Sequence, residues 1–193
     1  VFRAVSGTGA NRIFGYAAVF YDPTRPGTEY WIADDIVERI RPGAFDAVLK
    51  TSDCRALFNH NANNILGRES SGTLQLSVDQ LGLRYAVALP DTTVGDLVNS
   101  AVRRRDVDGS SFAFTVARER YETLKDGTFV RWIEEIGKLL DVGPTTFAAY
   151  SATTSEPGDD EDDDDAESSP NRLAAMRTML MVQRRVREIE AAA

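Results

Sequence analysis

One histidine, His60, occurs in the 193 residues of this chain, so any proton relay that uses imidazole passes through that position. It closes the short apolar run Ala56-Leu57-Phe58-Asn59-His60-Asn61, which reads as a strand opening into an Asn-rich turn. An imidazole at a strand end, with an ordinary pKa of about 6.5, can take a proton from a hydroxyl at neutral pH and return it. The matching hydroxyls stand in Asp108-Gly109-Ser110-Ser111-Phe112-Ala113-Phe114, at the mouth of a strand just after a turn. Alternation puts Phe112 and Phe114 on the face opposite Ser111, so the rings hold the strand and leave that hydroxyl on the other side. Ser110 shares the phenylalanine face and is the weaker candidate.

A serine activated by histidine needs a third group that orients the ring and stabilises its protonated form. Glu134, Glu135 and Asp141 offer carboxylates in the strands that follow. In a regular strand Glu135 and Asp141 share a face and Glu134 takes the other, although Gly137 is a place for a bulge that would disturb the count. Spacing leaves all three open. Cys54, the one thiol, precedes an apolar strand and reads as a small buried residue rather than a nucleophile.

These side chains have to be held by a sheet. Apolar, β-prone runs at residues 13–21, 30–40, 56–60, 73–78, 81–89, 111–117, 120–124, 129–136 and 139–147 predict strands, with hairpins at 78–81 and at Asp126-Gly127. Val94, Leu97, Val98, Ala101 and Val102 recur at helical spacing behind a capping Thr92 or Thr93, and Ala44, Val48 and Leu49 suit a short helix. Many short strands with a few inserted helices predict a mainly β fold with α elements, a barrel or sandwich with peripheral helices.

The net charge of -8 is a local property. Residues 156–167 hold nine acids and no base, residues 171–190 hold five Arg and two Glu, and residues 1–155 are left nearly neutral with 19 acids and 17 bases. No basic field for nucleic acid exists there. A main domain over residues 1–155, an acidic disordered linker over 156–169 and an amphipathic C-terminal helix over 170–193 are expected. The stripe Ala175, Met179, Val182, Val186 and Ile189 suits a docking helix, a short coiled coil or a helix folding back on its own domain. One Cys and one His exclude an internal disulfide and a Cys/His zinc site. No apolar stretch reaches the roughly 18 residues of a membrane span, and no signal-peptide pattern is seen, so a reducing cytoplasmic setting is expected.

The order of several motifs carries a resemblance. Gly15-Tyr16-Ala17-Ala18-Val19-Phe20 is followed by Val37-Glu38-Arg39-Ile40-Arg41-Pro42-Gly43-Ala44-Phe45 and by Phe58-Asn59-His60-Asn61 with Leu66-Gly67-Arg68. Then come Ser110-Ser111-Phe112-Ala113-Phe114 and Leu140-Asp141-Val142-Gly143 with Thr146-Phe147. Over about residues 13–150 this order resembles the caudoviral prohead serine proteases, with departures at Ser110, Asn61, Ala113 and Ala148, none of which removes a catalytic atom. The resemblance implies a fold like the herpesvirus maturation protease, a β-barrel surrounded by helices. It implies a serine endopeptidase acting without metal or organic cofactor, inside the assembling prohead in the host cytoplasm. Its substrates would be the major capsid protein, scaffold and the protease itself, a homo-oligomer is compatible, and neither nucleic acid nor membrane is a partner. By position His60 matches the motif histidine and Ser111 the motif serine, while Glu135 is the best match to the third member and Asp141 the second. Herpesvirus relatives carry arginines just after the Val-Gly pair, but Pro144-Thr145 follows here, so the oxyanion donors are not assigned by position, and backbone N–H groups could serve. The competing expectation is a capsid assembly or scaffolding protein that keeps the fold without cleaving.

Overall fold

The computed structural model describes residues 11–158, in which alternating apolar residues pair into two sheets. In chain order the elements are β1 (Arg12–Val19), β2 (Glu29–Ala33), β3 (Ile36–Ile40), β4 (Arg55–Leu57), β5 (Ile65–Arg68), β6 (Leu74–Val78) and β7 (Gly82–Ala88). They continue as α1 (Thr93–Arg103), β8 (Gly109–Thr123), β9 (Phe129–Thr145) and β10 (Glu156–Gly158). One sheet runs β10-β1-β7-β6, and the other runs β2-β3-β9-β4-β5 with β8 paired to β9. The fold is mainly β, as expected, but the sheets stay open at their edges and do not close into a barrel. Among the described residues one α-helix is present, not a surrounding set.

The inward faces of the strands share one core. Ile13, Leu83, Tyr85 and Val87 of one sheet join Ile40, Phe112, Ile133, Ile136 and Val142 of the other, with Phe45 between. The helix α1 begins where Thr92, one of the two caps the sequence offers, accepts a bond from the Gly95 N–H at 3.3 Å, and it adds Val98 and Val102 to the core. Leu97, read as part of the same stripe, is exposed. The run at 30–40 turns at Asp34-Asp35 into the hairpin of β2 and β3, and the expected helix at 44–49 is turns and a short 3-10 segment, Val48–Lys50. The four separate strands expected between residues 111 and 147 are two long ones. Register shifts let β8 and β9 bend without ending, so turn-like residues such as Gly137 mark bulges in a continuous ladder.

The boundary expected after Ser155 falls immediately before a paired element. Glu156, Pro157 and Gly158 lie against Phe14, Ile13 and Arg12 of β1, so the first residues assigned to the linker belong to the sheet. The rest of the acidic linker and the helix expected at 170–193 lie outside the described residues. Ahead of β10, Ser155 N–H donates to the Asp108 carbonyl at 2.7 Å, and the Ser110, Tyr85 and Ser155 hydroxyls meet in a buried cluster at 2.7 to 3.1 Å. Burial pushes the Tyr85 phenol up to about 12, so the cluster stays neutral.

Gly15 makes this return of the chain possible, since a Cβ at that position would stand 1.8 Å from the Thr154 carbonyl oxygen. Gly15→Ala should therefore push residues 153–158 off β1 and cost about 3 kcal/mol, the upper part of the range for overpacking. Urea unfolding of the two proteins measures it, and a loss below 0.5 kcal/mol, roughly the size of a neutral surface change, would show that the segment is not held in this way.

Candidate active site

Strand β9 is bonded along both edges, and this places the site. Along one edge it pairs antiparallel with β8, which sets Ser111 opposite Gly143 and Ala113 opposite Asp141. Along the other it pairs parallel first with β3 and then with β4, where Arg55 meets Asp141 and Ala56 meets Val142. Gly143 allows β4 its close approach, because its φ of +149° lies where side chains are rarely accommodated and a Cβ would stand 2.3 Å from the Leu57 carbonyl oxygen.

From β4 the chain enters a turn closed by Phe58 N–H to the Asn64 carbonyl at 3.1 Å and Asn61 N–H to the Phe58 carbonyl at 3.2 Å. Asn59 and His60 both take left-handed backbone angles, φ +55° and +54°, a region that Asn and His enter more readily than most residues. The turn brings the His60 ring back over β9, where Nδ1 lies 2.6 Å from Asp141 Oδ1. The Asp141 side chain is largely buried and the ring is partly exposed, so the contact is sheltered on one side and open on the other. Asp141 raises the His60 pKa above its ordinary value, first through this hydrogen bond and then through its charge, against the opposing effect of burial. The arrangement favours the imidazolium and fixes Nδ1 as the nitrogen that faces the carboxylate, leaving Nε2 for other work.

Ser111 lies on the face of the sheet that carries Asp141, since residues opposed across a ladder share a face and so do alternate residues along a strand. The two are diagonal neighbours, about 7–8 Å apart by ordinary sheet geometry, a gap suited to an imidazole ring. Ser111 is half-buried, and its side chain makes no hydrogen bond among the described residues, to His60 or otherwise. Ser110 faces the other way. It is fully buried, and its Oγ donates to the Thr154 carbonyl at 2.7 Å within the hydroxyl cluster. The strand is held as expected by Phe112, which is buried, stacks on Phe114 at 4.5 Å and meets Phe45 edge-on at 5.7 Å.

The carboxylate against the ring is Asp141, not Glu135. Glu135 opposes Arg118, five residues along β8 from the Ala113 that opposes Asp141, which is roughly 16 Å of strand. Its oxygen pairs with Arg118 at 3.0 Å instead. Glu134 joins Arg41 and Arg118 at 3.2 Å in a surface network. Cys54 is buried with its thiol pushed up to about 12, chiefly by desolvation and then by the Glu69 and Asp141 charges, so it is not a thiolate at neutral pH. Among the described residues no group of three His, Cys, Asp or Glu side chains is placed to hold a metal ion. No helix there is long and apolar enough to cross a membrane.

Asp141 was legible as one of three carboxylates, whereas Asn59 and Gly143 were read only as motif letters. The Asn-His dipeptide in a turn was the available signal for a left-handed pair. The His60 resonances should titrate above about 6.5, and Asp141→Asn should bring the midpoint down to that value or below, since burial then acts unopposed. NMR titration of the single imidazole reads this directly, and a midpoint indifferent to Asp141→Asn would break the pairing.

Comparison with protein-family models matches residues 1–164 to the model described as caudovirus prohead serine protease. No curated protein and no solved structure gives a match. The family match spans most of the chain and includes His60, Ser111 and Asp141. The chain belongs to the caudovirus prohead serine protease family.

Proposed function

We propose that this chain is a serine endopeptidase of prohead maturation in which Ser111 is the nucleophile, His60 the general base and Asp141 the orienting carboxylate. The observation that carries the reading is the 2.6 Å contact of His60 Nδ1 with Asp141 on the sheet face that also bears Ser111. His60 Nε2 takes the Ser111 proton as Oγ attacks the scissile carbonyl, Asp141 stabilises the imidazolium so formed, and the proton passes to the leaving amine. Water then repeats the sequence on the acyl-enzyme. The oxyanion is received by backbone N–H groups, since no arginine follows Gly143. The substrates are the capsid and scaffold proteins inside the immature capsid, and the chain itself. Kinship in fold with the herpesvirus maturation protease is part of the same reading, supported by the motif order and the mainly β core.

The sign of the pH dependence follows from the contact. Catalysis needs the neutral imidazole, and Asp141 raises the pH at which that form appears, so activity should fall as pH drops through a midpoint above about 6.5.

A fluorophosphonate that labels Ser111, together with incubation against the neighbouring capsid protein, tests the assignment. Ser111→Ala should abolish labelling and cleavage, and Ser110→Ala should keep both. Asp141→Asn should lower the rate by about 10⁴, the scale of a lost triad carboxylate, and Glu135→Gln should stay near the unmodified protein because an exposed ion pair contributes about 1 kcal/mol or less. Full labelling in Asp141→Asn with loss in Glu135→Gln would reverse the assignment. An unlabelled Ser111 with intact capsid protein would leave a non-cleaving assembly role.

A further inference from the structure

Asn59 takes no part in the proton transfers, yet it is bonded to the end of β9 at four points. Its N–H donates to the Pro144 carbonyl at 3.2 Å, and its Nδ2 donates to Thr146 Oγ1 at 3.2 Å. Its Oδ1 accepts from Thr145 Oγ1 at 3.0 Å and from Thr146 N–H at 2.8 Å. All of the partners lie on residues 144–146, within a few positions of Asp141 on the same chain segment. We propose that Asn59 is the positioning residue of the site: its side chain clips the turn that carries His60 onto the strand that carries Asp141, and so fixes the ring between carboxylate and serine.

The physical need is local. Asn59 and His60 are consecutive non-glycine residues in left-handed geometry, a conformation that costs on the order of 1 kcal/mol or more per residue and persists only where surrounding bonds over-determine it. The turn's own bonds, Phe58 to Asn64 and Asn61 to Phe58, close the loop on itself but do not tie it to β9. Only the Asn59 contacts and the His60–Asp141 contact cross that gap among the bonds of residues 58–61. Removal of the side chain leaves the turn tied to β9 by two hydrogen bonds, that of the Asn59 N–H to the Pro144 carbonyl and that of the imidazole to Asp141. One backbone bond and one partly exposed side-chain contact do not fix the ring against the backbone's preference for negative φ.

This inference rests on the proposed triad, so its test has one reading that needs no activity. The His60 midpoint is measured by NMR in the full chain carrying Ser111→Ala, with Asn59 unchanged or replaced by Ala, Gly or Asp. In parallel, fluorophosphonate labelling of Ser111 is followed in the same Asn59 variants with the serine restored. Asn59→Ala and Asn59→Gly should both lower the midpoint toward about 6.5 and slow labelling by roughly 100-fold, the scale of a misplaced catalytic group. Glycine matters because it accepts the left-handed backbone freely but offers no clip, and it also reads the proposal if the alanine variant does not fold. Asn59→Asp keeps oxygens able to accept from Thr145 and Thr146, and it should restore the elevated midpoint and much of the labelling rate. A glycine variant with an unchanged midpoint and rate would overturn the proposal, as would an aspartate variant as impaired as glycine. If the chain with Asn59 intact fails to label at all, the protease reading fails, and the midpoints still decide the role of Asn59.

Discussion

The parallel pairing of β4 with β9 at Arg55–Asp141 and Ala56–Val142 sets where the only imidazole of this protein can lie. Two residue pairs are a short ladder, and it holds because β4 is pinned from both sides: β5 pairs its other edge, and Gly143 lets Leu57 sit against β9 without a side chain between them. From there to His60 is three residues, about 10 Å of chain at most, which keeps the ring close to this part of β9. The identity of the acid partner is thus a consequence of strand register. A slip by one residue would exchange Asp141 for Leu140 or Val142 and leave the ring with no partner.

The serine is positioned by different means. Gly109 and Ser110, at the start of β8, are fastened to the returning chain at Thr153–Ser155, through Thr153 Oγ1 and the Ser110, Tyr85 and Ser155 hydroxyls. A buried cluster of neutral hydroxyls satisfies its own donors and acceptors and carries no charge that needs solvent. From the other side the Phe45 and Phe114 rings grip Phe112. Ser111 therefore stands between two clamped neighbours with its own hydroxyl uncommitted among the described residues. The paired serines differ in surroundings: Ser110 is bonded within the hydroxyl cluster, and Ser111 stands on the face that carries Asp141.

The motifs converge on this frame. Glu38, buried at 6% exposure, accepts from Tyr150 Oη at 2.7 Å and pairs with Arg131 at 2.9 Å, tying β3 and β9 to the chain beyond them. Phe45 of the same motif packs against Phe112 of the serine strand. These residues set the spacing of β3, β8 and β9, of which β8 carries Ser111 and β9 carries Asp141. The other acids within strands β8 and β9, Glu119, Glu122, Glu134 and Glu135, engage Arg118, Arg120 and Arg131 on the surface. Their charges are satisfied among themselves, which leaves Asp141 as the carboxylate turned to the ring.

Within residues 11–158 the alternation of apolar residues was enough to find most strands, the helix behind Thr92 or Thr93 and the opposite faces taken by Ser110 and Ser111 around Phe112, because each of these depends on neighbours a few positions away. The uniqueness of His60 and the motif order likewise pointed to the family. What the chain could not show in one dimension was pairing across distance: whether the sheets close, that Glu156–Gly158 returns to β1, and which acid meets the ring. Glu135 and Asp141 are alike in type and parity, and they differ only in their place along a bulged ladder whose partner β4 lies more than eighty residues away in sequence. Local periodicity is written in side-chain type, but register is the outcome of backbone hydrogen bonds between distant segments, and those bonds, common to every residue, leave no mark in the sequence that makes them.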